Sequence, residues 1–129
     1  MENITRINYP RSGEVKAPYV HAVKHNNTLY VSGLTAFGTP AQKQGIAEQA
    51  EEIFARFKLI AEAESISLDS LIKVTIFVTS LDELSALRTV LFRHFGSHLP
   101  ASSLVQVSKL FSPDLIIEIE GVLALSTCP

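Results

Sequence analysis

The chain reads as one α+β domain over residues 1–129, a mixed six-stranded sheet with two helices on one face. Three observations predict this. Apolar residues recur at helical spacing in two stretches, 46–65 and 81–95. The remaining apolar residues fall in short extended segments rich in Val, Ile and Thr, bounded by Gly, Pro, Asn or Ser. Their order is β-β-β-α-β-α-β-β, with too little polar sequence between elements for a second domain.

Thr5-Arg6-Ile7-Asn8 is a short strand ended by Pro10. Tyr19–Lys24 and Thr28–Ser32 are extended segments around His25-Asn26-Asn27, a hairpin signal. Residues 33–45, with Gly38, Pro40 and Gly45, read as a loop. Ile46, Ala50, Ile53, Phe54, Phe57, Ile60 and Ala61 then form one stripe of a helix ending near Ser65, with Glu48, Glu51, Glu52, Arg56 and Lys58 on its other faces.

The strand Leu71–Thr79 alternates, placing Ile72, Val74, Ile76 and Val78 on one face and Lys73, Thr75, Phe77 and Thr79 on the other. Lys73 is expected to snorkel or pair on the less buried face. Ser80-Leu81-Asp82-Glu83 has capping-box form and opens a helix with Leu84, Leu87, Leu91 and Phe95 inward, stopped by Gly96. Strands Ser102–Val107 and Leu115–Leu125 close the chain, and both crossovers are expected to be right-handed. Two helices cover only one sheet face, so the other is expected to be a subunit interface.

Hydrophobic residues make up 47% of the chain and charged residues 19%. With mean hydropathy +0.23, this is apolar for so short a chain and also points to a buried interface. No apolar run reaches the roughly 18 residues of a membrane span. The start, Met1-Glu2-Asn3, has no basic or apolar leader pattern, and the single Cys128 can staple nothing internally. A reducing, cytoplasmic setting is therefore expected. Net charge is −2 with no Lys/Arg cluster, which weighs against a nucleic-acid partner.

The segments Ala17-Pro18-Tyr19, Leu29-Tyr30-Val31-Ser32-Gly33, Ser67-Leu68-Asp69 and Ile72–Thr79 occur in fixed order before Leu99-Pro100-Ala101-Ser102-Ser103-Leu104 and Ile116-Ile117-Glu118-Ile119-Glu120-Gly121. In this order and spacing the chain resembles the YjgF/RidA family over nearly its whole length. The resemblance implies a chorismate-mutase-like fold and a homotrimer with three clefts between subunits. It also implies cofactor-free hydrolysis of enamines and imines, released by pyridoxal-phosphate enzymes, to keto acids and ammonia. In the family a Pro-Ala-Arg-Ser strand supplies an arginine whose planar fork matches the substrate carboxylate. A glutamate on the Ile-Glu-Ile-Glu strand handles the attacking water.

Glu118 takes the place of that glutamate, and Tyr19, Ser32 and Gly33 match cleft-lining positions. Glu118 shares a strand face with Glu120, so one of the two is expected to be held by hydrogen bonds or a cation. The arginine position holds Ser102, a neutral hydroxyl, followed by Ser103. Losing a buried bidentate contact costs roughly 2–5 kcal/mol of affinity for a small anion. Leu104 stands where the family often has cysteine, and Leu34 where it often has glutamine. Arg88 stands where it often has asparagine. Arg88 either supplies the missing cation from another wall or lies on the solvated side of its helix. Glu118 is either catalytic or a strand carboxylate paired across an interface, and Tyr19 either a ligand donor or an interface aromatic.

The i, i+4 pair His94 and His98 is expected to bind no metal, because Gly96 between them ends the helix. His21 and His25 are assigned to the surface. The first functional reading is a homotrimer binding a small keto or imino acid in its clefts, with deaminase activity weak or absent. The second is an active imine deaminase using Glu118 and a relocated cation such as Arg88. An RNA-cleaving or translation-inhibiting protein is the least favoured. No cofactor, metal or membrane is expected in any of these.

Overall fold

The computed structural model describes residues 3–125; Cys128 lies outside the described residues. Strand β1 (Ile4–Ile7) leads through a 3₁₀ turn (Pro10–Ser12) to the hairpin β2 (Ala22–His25) and β3 (Thr28–Leu34). Helix α1 (Ile46–Ala63), strand β4 (Leu71–Val78), helix α2 (Leu84–Phe95), strand β5 (Ala101–Gln106) and strand β6 (Ile117–Ala124) follow. The sheet order is β1-β2-β3-β6-β4-β5. Only β4 and β5 are parallel neighbours; the other pairs are antiparallel. This is the α+β architecture expected, with both helices on one face.

The hairpin turns at Asn26-Asn27, between the paired His25 and Thr28, and Asn26 takes a φ of 56°, a conformation asparagine tolerates. The stripe of α1 is the one its spacing predicts, with Gln49 added to the buried set. It packs on Leu29, Val31, Val74, Ile76, Ile117, Ile119 and Leu123, and α2 adds Leu87, Val90 and Phe95. A Cβ on Gly121 would sit 3.0 Å from the Phe57 ring, so a bare α-carbon lets α1 close onto the centre of the sheet.

Three expectations are corrected. The alternation of β4 fails at its start: the register shifts between Leu71 and Lys73, so Leu71 is buried and Ile72 is 48% exposed. A bulge adds one residue and inverts the facing. The capping box does not form either. The Ser80 hydroxyl accepts from the Asp82 N–H at 3.0 Å, a tight turn, and α2 begins only after Glu83, which makes no side-chain cap. Finally, the loop after Ser32 is more ordered than expected, since β3 runs through a bulge to Leu34 and Pro40–Lys43 is a 3₁₀ turn.

Gln49 explains that order. Its amide nitrogen donates to the carbonyls of Gln42, Gln44 and Asp114, and its oxygen accepts from the Ile116 N–H at 3.1 Å. One buried side chain thereby ties the loop before α1 to the entry of β6.

Candidate functional site

β6 alternates strictly: Ile117, Ile119 and Leu123 point to the helices, so Glu118, Glu120 and Val122 point to the open face. Glu118 is half-buried there, and its carboxyl group lies over Gly33 of the adjoining strand. A Cβ at position 33 would come within 2.8 Å of the Glu118 carboxyl carbon. Only glycine leaves this room.

Neither Glu118 nor Glu120 makes a side-chain hydrogen bond or ion pair among the described residues of the single chain. Burial first, and the Glu120 charge second, push the Glu118 carboxyl above the ordinary glutamate range. Such a carboxylate is a better proton acceptor than a solvated one.

Gly33 and Ser32 also line a cavity of about 250 Å³ at the end of β3, together with Tyr19, His21, Arg56 and Phe111. Tyr19 is 54% exposed at its mouth. Ser32 is fixed on both sides: its N–H donates to the His21 carbonyl at 3.0 Å and its hydroxyl to the Val20 carbonyl at 2.6 Å.

His21 is not at the surface as assigned. It is 7% exposed, stacked on Tyr9, with ring Nδ1 accepting from the Tyr9 N–H at 2.8 Å and its backbone N–H donating to the Asn8 Oδ1 at 2.9 Å. Burial, then the nearby Arg56 charge, lowers its pKa. The His21 backbone N–H is taken by the Asn8 side chain, and the paired part of β2 begins at Ala22.

Arg88 and Ser102 are exposed and line one groove of about 470 Å³ with Leu91, Phe92, Leu99 and Pro100. The register fixes the facing of β5. Ser102 pairs with Val74 and Leu104 with Ile76, both pointing to the helices, whereas Ser103 pairs with Thr75, itself opposite Glu120. The expected site residues therefore split. Tyr19, Ser32, Gly33 and Glu118 gather around the end of β3. Arg88, Ser102 and Leu104 lie on the helix side of the edge strand, and Ser103 on the open side. Within one chain the sheet separates Arg88 from Glu118.

The histidines of α2 have other roles. His94 stacks on Phe54 at 4.5 Å and bonds Glu51 through Nε2 at 2.7 Å; Arg93 pairs with the same carboxylate. Gly96 does end the helix, so His98 lies beyond it, 3.4 Å from Asp69. Among the described residues no cluster of three or more His, Cys, Asp or Glu could hold a metal, and no helix is long and apolar enough to cross a membrane.

Sequence reasoning missed His21 and Arg56 as cavity groups. For Arg56 a signal existed: Gln49, Ile53, Arg56 and Ile60 follow one another at i+4, i+3 and i+4, which puts Arg56 at the rim of the buried stripe.

A family model described as Endoribonuclease L-PSP matches residues 11–125. The chain belongs to this family, the YjgF/RidA/UK114 group. Among its relatives, the protein MMF1, mitochondrial, of Saccharomyces cerevisiae is 38% identical over 110 residues, 82% of this chain and 75% of that one. The 2-iminobutanoate/2-iminopropanoate deaminase of Dermatophagoides farinae is 28% identical, over 92% of this chain and 94% of its own. The crystal structure of RidA from an Antarctic Psychrobacter superposes with a TM-score of 0.83 at 31% identity, covering 93% of this chain and 98% of that one.

Proposed function

We propose that this chain is a homotrimeric RidA-family protein that binds a small keto or imino acid in clefts between subunits, with imine deamination weak or absent. The observation that carries this reading is Ser102. At the position where the family places its arginine, a neutral hydroxyl faces a groove walled by Leu91, Phe92, Leu99 and Pro100. The guanidinium that shares this groove, Arg88, is exposed on α2, and within one chain the sheet separates it from Glu118. The uncovered sheet face, with Tyr30 and Val105 exposed, supports assembly. A reducing compartment such as the cytoplasm fits the composition.

The decisive experiment offers freshly generated 2-iminopropanoate or 2-iminobutanoate to purified protein and compares keto-acid release with the buffer rate. Sedimentation reports the trimer in parallel. A rate close to buffer, raised by Ser102→Arg, is the expected result. Clear acceleration by the unmodified protein that disappears in Glu118→Ala would overturn it.

A second reading, an active deaminase, is favoured by the state of Glu118. A half-buried carboxylate with a raised pKa can take a proton from water as the oxygen adds to the imine carbon. The proton then passes to nitrogen, and the carbinolamine collapses to ketone and ammonia. Arg88 shares a groove with Ser102, and it could serve Glu118 only across two copies of the chain. The word endoribonuclease in the family description has little support here, since net charge is −2 with no basic cluster.

A further inference from the structure

We infer that Arg56 and His21 form the anion-binding wall of the cavity beside Gly33, and that its ligand is a small organic carboxylate with a short apolar tail. This rests on the reading of the cleft as a small-metabolite site, and it moves the carboxylate contact from β5 to α1.

The geometry of the donors carries the inference. The Arg56 Nη2 donates to the Phe37 carbonyl at 2.8 Å, which holds the guanidinium at the cavity wall. Its remaining N–H groups have no acceptor among the described residues. At His21, the bond from the Tyr9 N–H occupies Nδ1, so a neutral ring carries its proton on Nε2 and donates from there.

Two hydroxyls add to these donors. The Thr35 oxygen already accepts from the Phe37 N–H at 3.2 Å, which leaves its hydrogen for another partner. The Ser12 hydroxyl oxygen is buried and has no partner among the described residues. Both residues line the same cavity. A buried polar group without a partner is costly, and a ligand acceptor would relieve it. The one carboxylate in the wall, Glu14, belongs to an exposed side chain 3.9 Å from Lys16. Donors therefore exceed acceptors, and an anion fits.

Size and lining narrow the class. The cavity, about 250 Å³ and open to solvent beside Tyr19, has room for a small organic molecule. Phe37 and Phe111, in contact at 5.1 Å between ring centres, supply the apolar part of the same lining. A small 2-oxo acid offers a carboxylate to the donors and a short carbon tail to the phenyl rings.

The test is calorimetric titration of the full-length protein with 2-oxobutanoate and with its uncharged counterpart 2-butanone. The proteins are wild type, Arg56→Met, Arg56→Lys and Arg88→Met, each checked for an unchanged unfolding midpoint. The wild type is expected to bind the acid and not the ketone. Arg56→Met should weaken that binding by about tenfold to a hundredfold, Arg56→Lys should recover part of it, and Arg88→Met should leave it within about twofold. Equal binding by Arg56→Met, or a loss confined to Arg88→Met, overturns the assignment and leaves the metabolite-binding reading intact. No binding by the wild type overturns both.

Discussion

The Glu118 carboxyl group occupies the space that a side chain at Gly33 would fill. The two residues are thus a single unit, and a methyl group at 33 has to displace the carboxylate. The carboxyl group is the free end of a flexible side chain and can swing aside, so Gly33→Ala should cost about 1 kcal/mol, the low end of overpacking. With Glu118→Ala already present, the same change should cost much less. A double-mutant cycle read by denaturant unfolding measures the difference, and additive losses would show that the two side chains do not compete for space.

Glu118 also makes stability depend on pH. Its folded pKa is raised, by burial and then by Glu120, so the folded state holds the proton more tightly than the unfolded chain. The associated stability is complete below the ordinary glutamate value of about 4.3 and is lost as pH climbs through the raised folded value. Glu118→Gln removes this dependence. The variant should be more stable than wild type at pH 7, with the gap narrowing as pH falls toward 4. Thermal unfolding across that range tests the sign, and a variant less stable at pH 7 would contradict it.

The buried amide of Gln49 gives the largest expected loss. Gln49→Leu keeps the volume but leaves the carbonyls of Gln42, Gln44 and Asp114 and the Ile116 N–H without their partner. At about 1–3 kcal/mol for each group water cannot reach, the loss should exceed about 3 kcal/mol. Amide exchange at Ile116 should accelerate beyond the global change, because that N–H loses its acceptor directly.

What could be read beforehand divides along the range of the contacts involved. The stripe of α1 and the stop at Gly96 depend on neighbours three or four residues away, and both hold. The facing of Ile72 depends on where β4 slips against β6, which no local pattern records. β5 is exposed at every position from Ala101 to Gln106, so it has no alternating apolar face from which to read that Ser102 and Ser103 point oppositely. His21 and Arg56 become cavity groups only because Tyr9 and Phe37, 12 and 19 residues away, hold them there. The segments that carry the family resemblance fall on β3, β4, β5 and β6, with Ala17-Pro18-Tyr19 and Ser67-Leu68-Asp69 outside the strands, and none of them marks Arg56 of α1 as a cavity group.

The end of α1 supplies a prediction of the opposite sign. The Ile66 N–H reaches back to the Ala61 carbonyl at 2.9 Å and the Ser65 N–H to the Glu62 carbonyl at 3.0 Å, the paired bonds that close a helix on a left-handed residue. That residue is Ser65, at a φ of 60°, where a β-carbon crowds the following carbonyl. Glycine meets no such crowding, although it has more backbone freedom to lose from the unfolded chain. The relief of about 1–2 kcal/mol exceeds that loss of about 0.5–1 kcal/mol, so Ser65→Gly should stabilise the protein by roughly 0.5–1 kcal/mol. Ser65→Ala should not, since it keeps the β-carbon. Unfolding midpoints of the two variants decide the matter, and equal midpoints would show that the left-handed turn carries no strain.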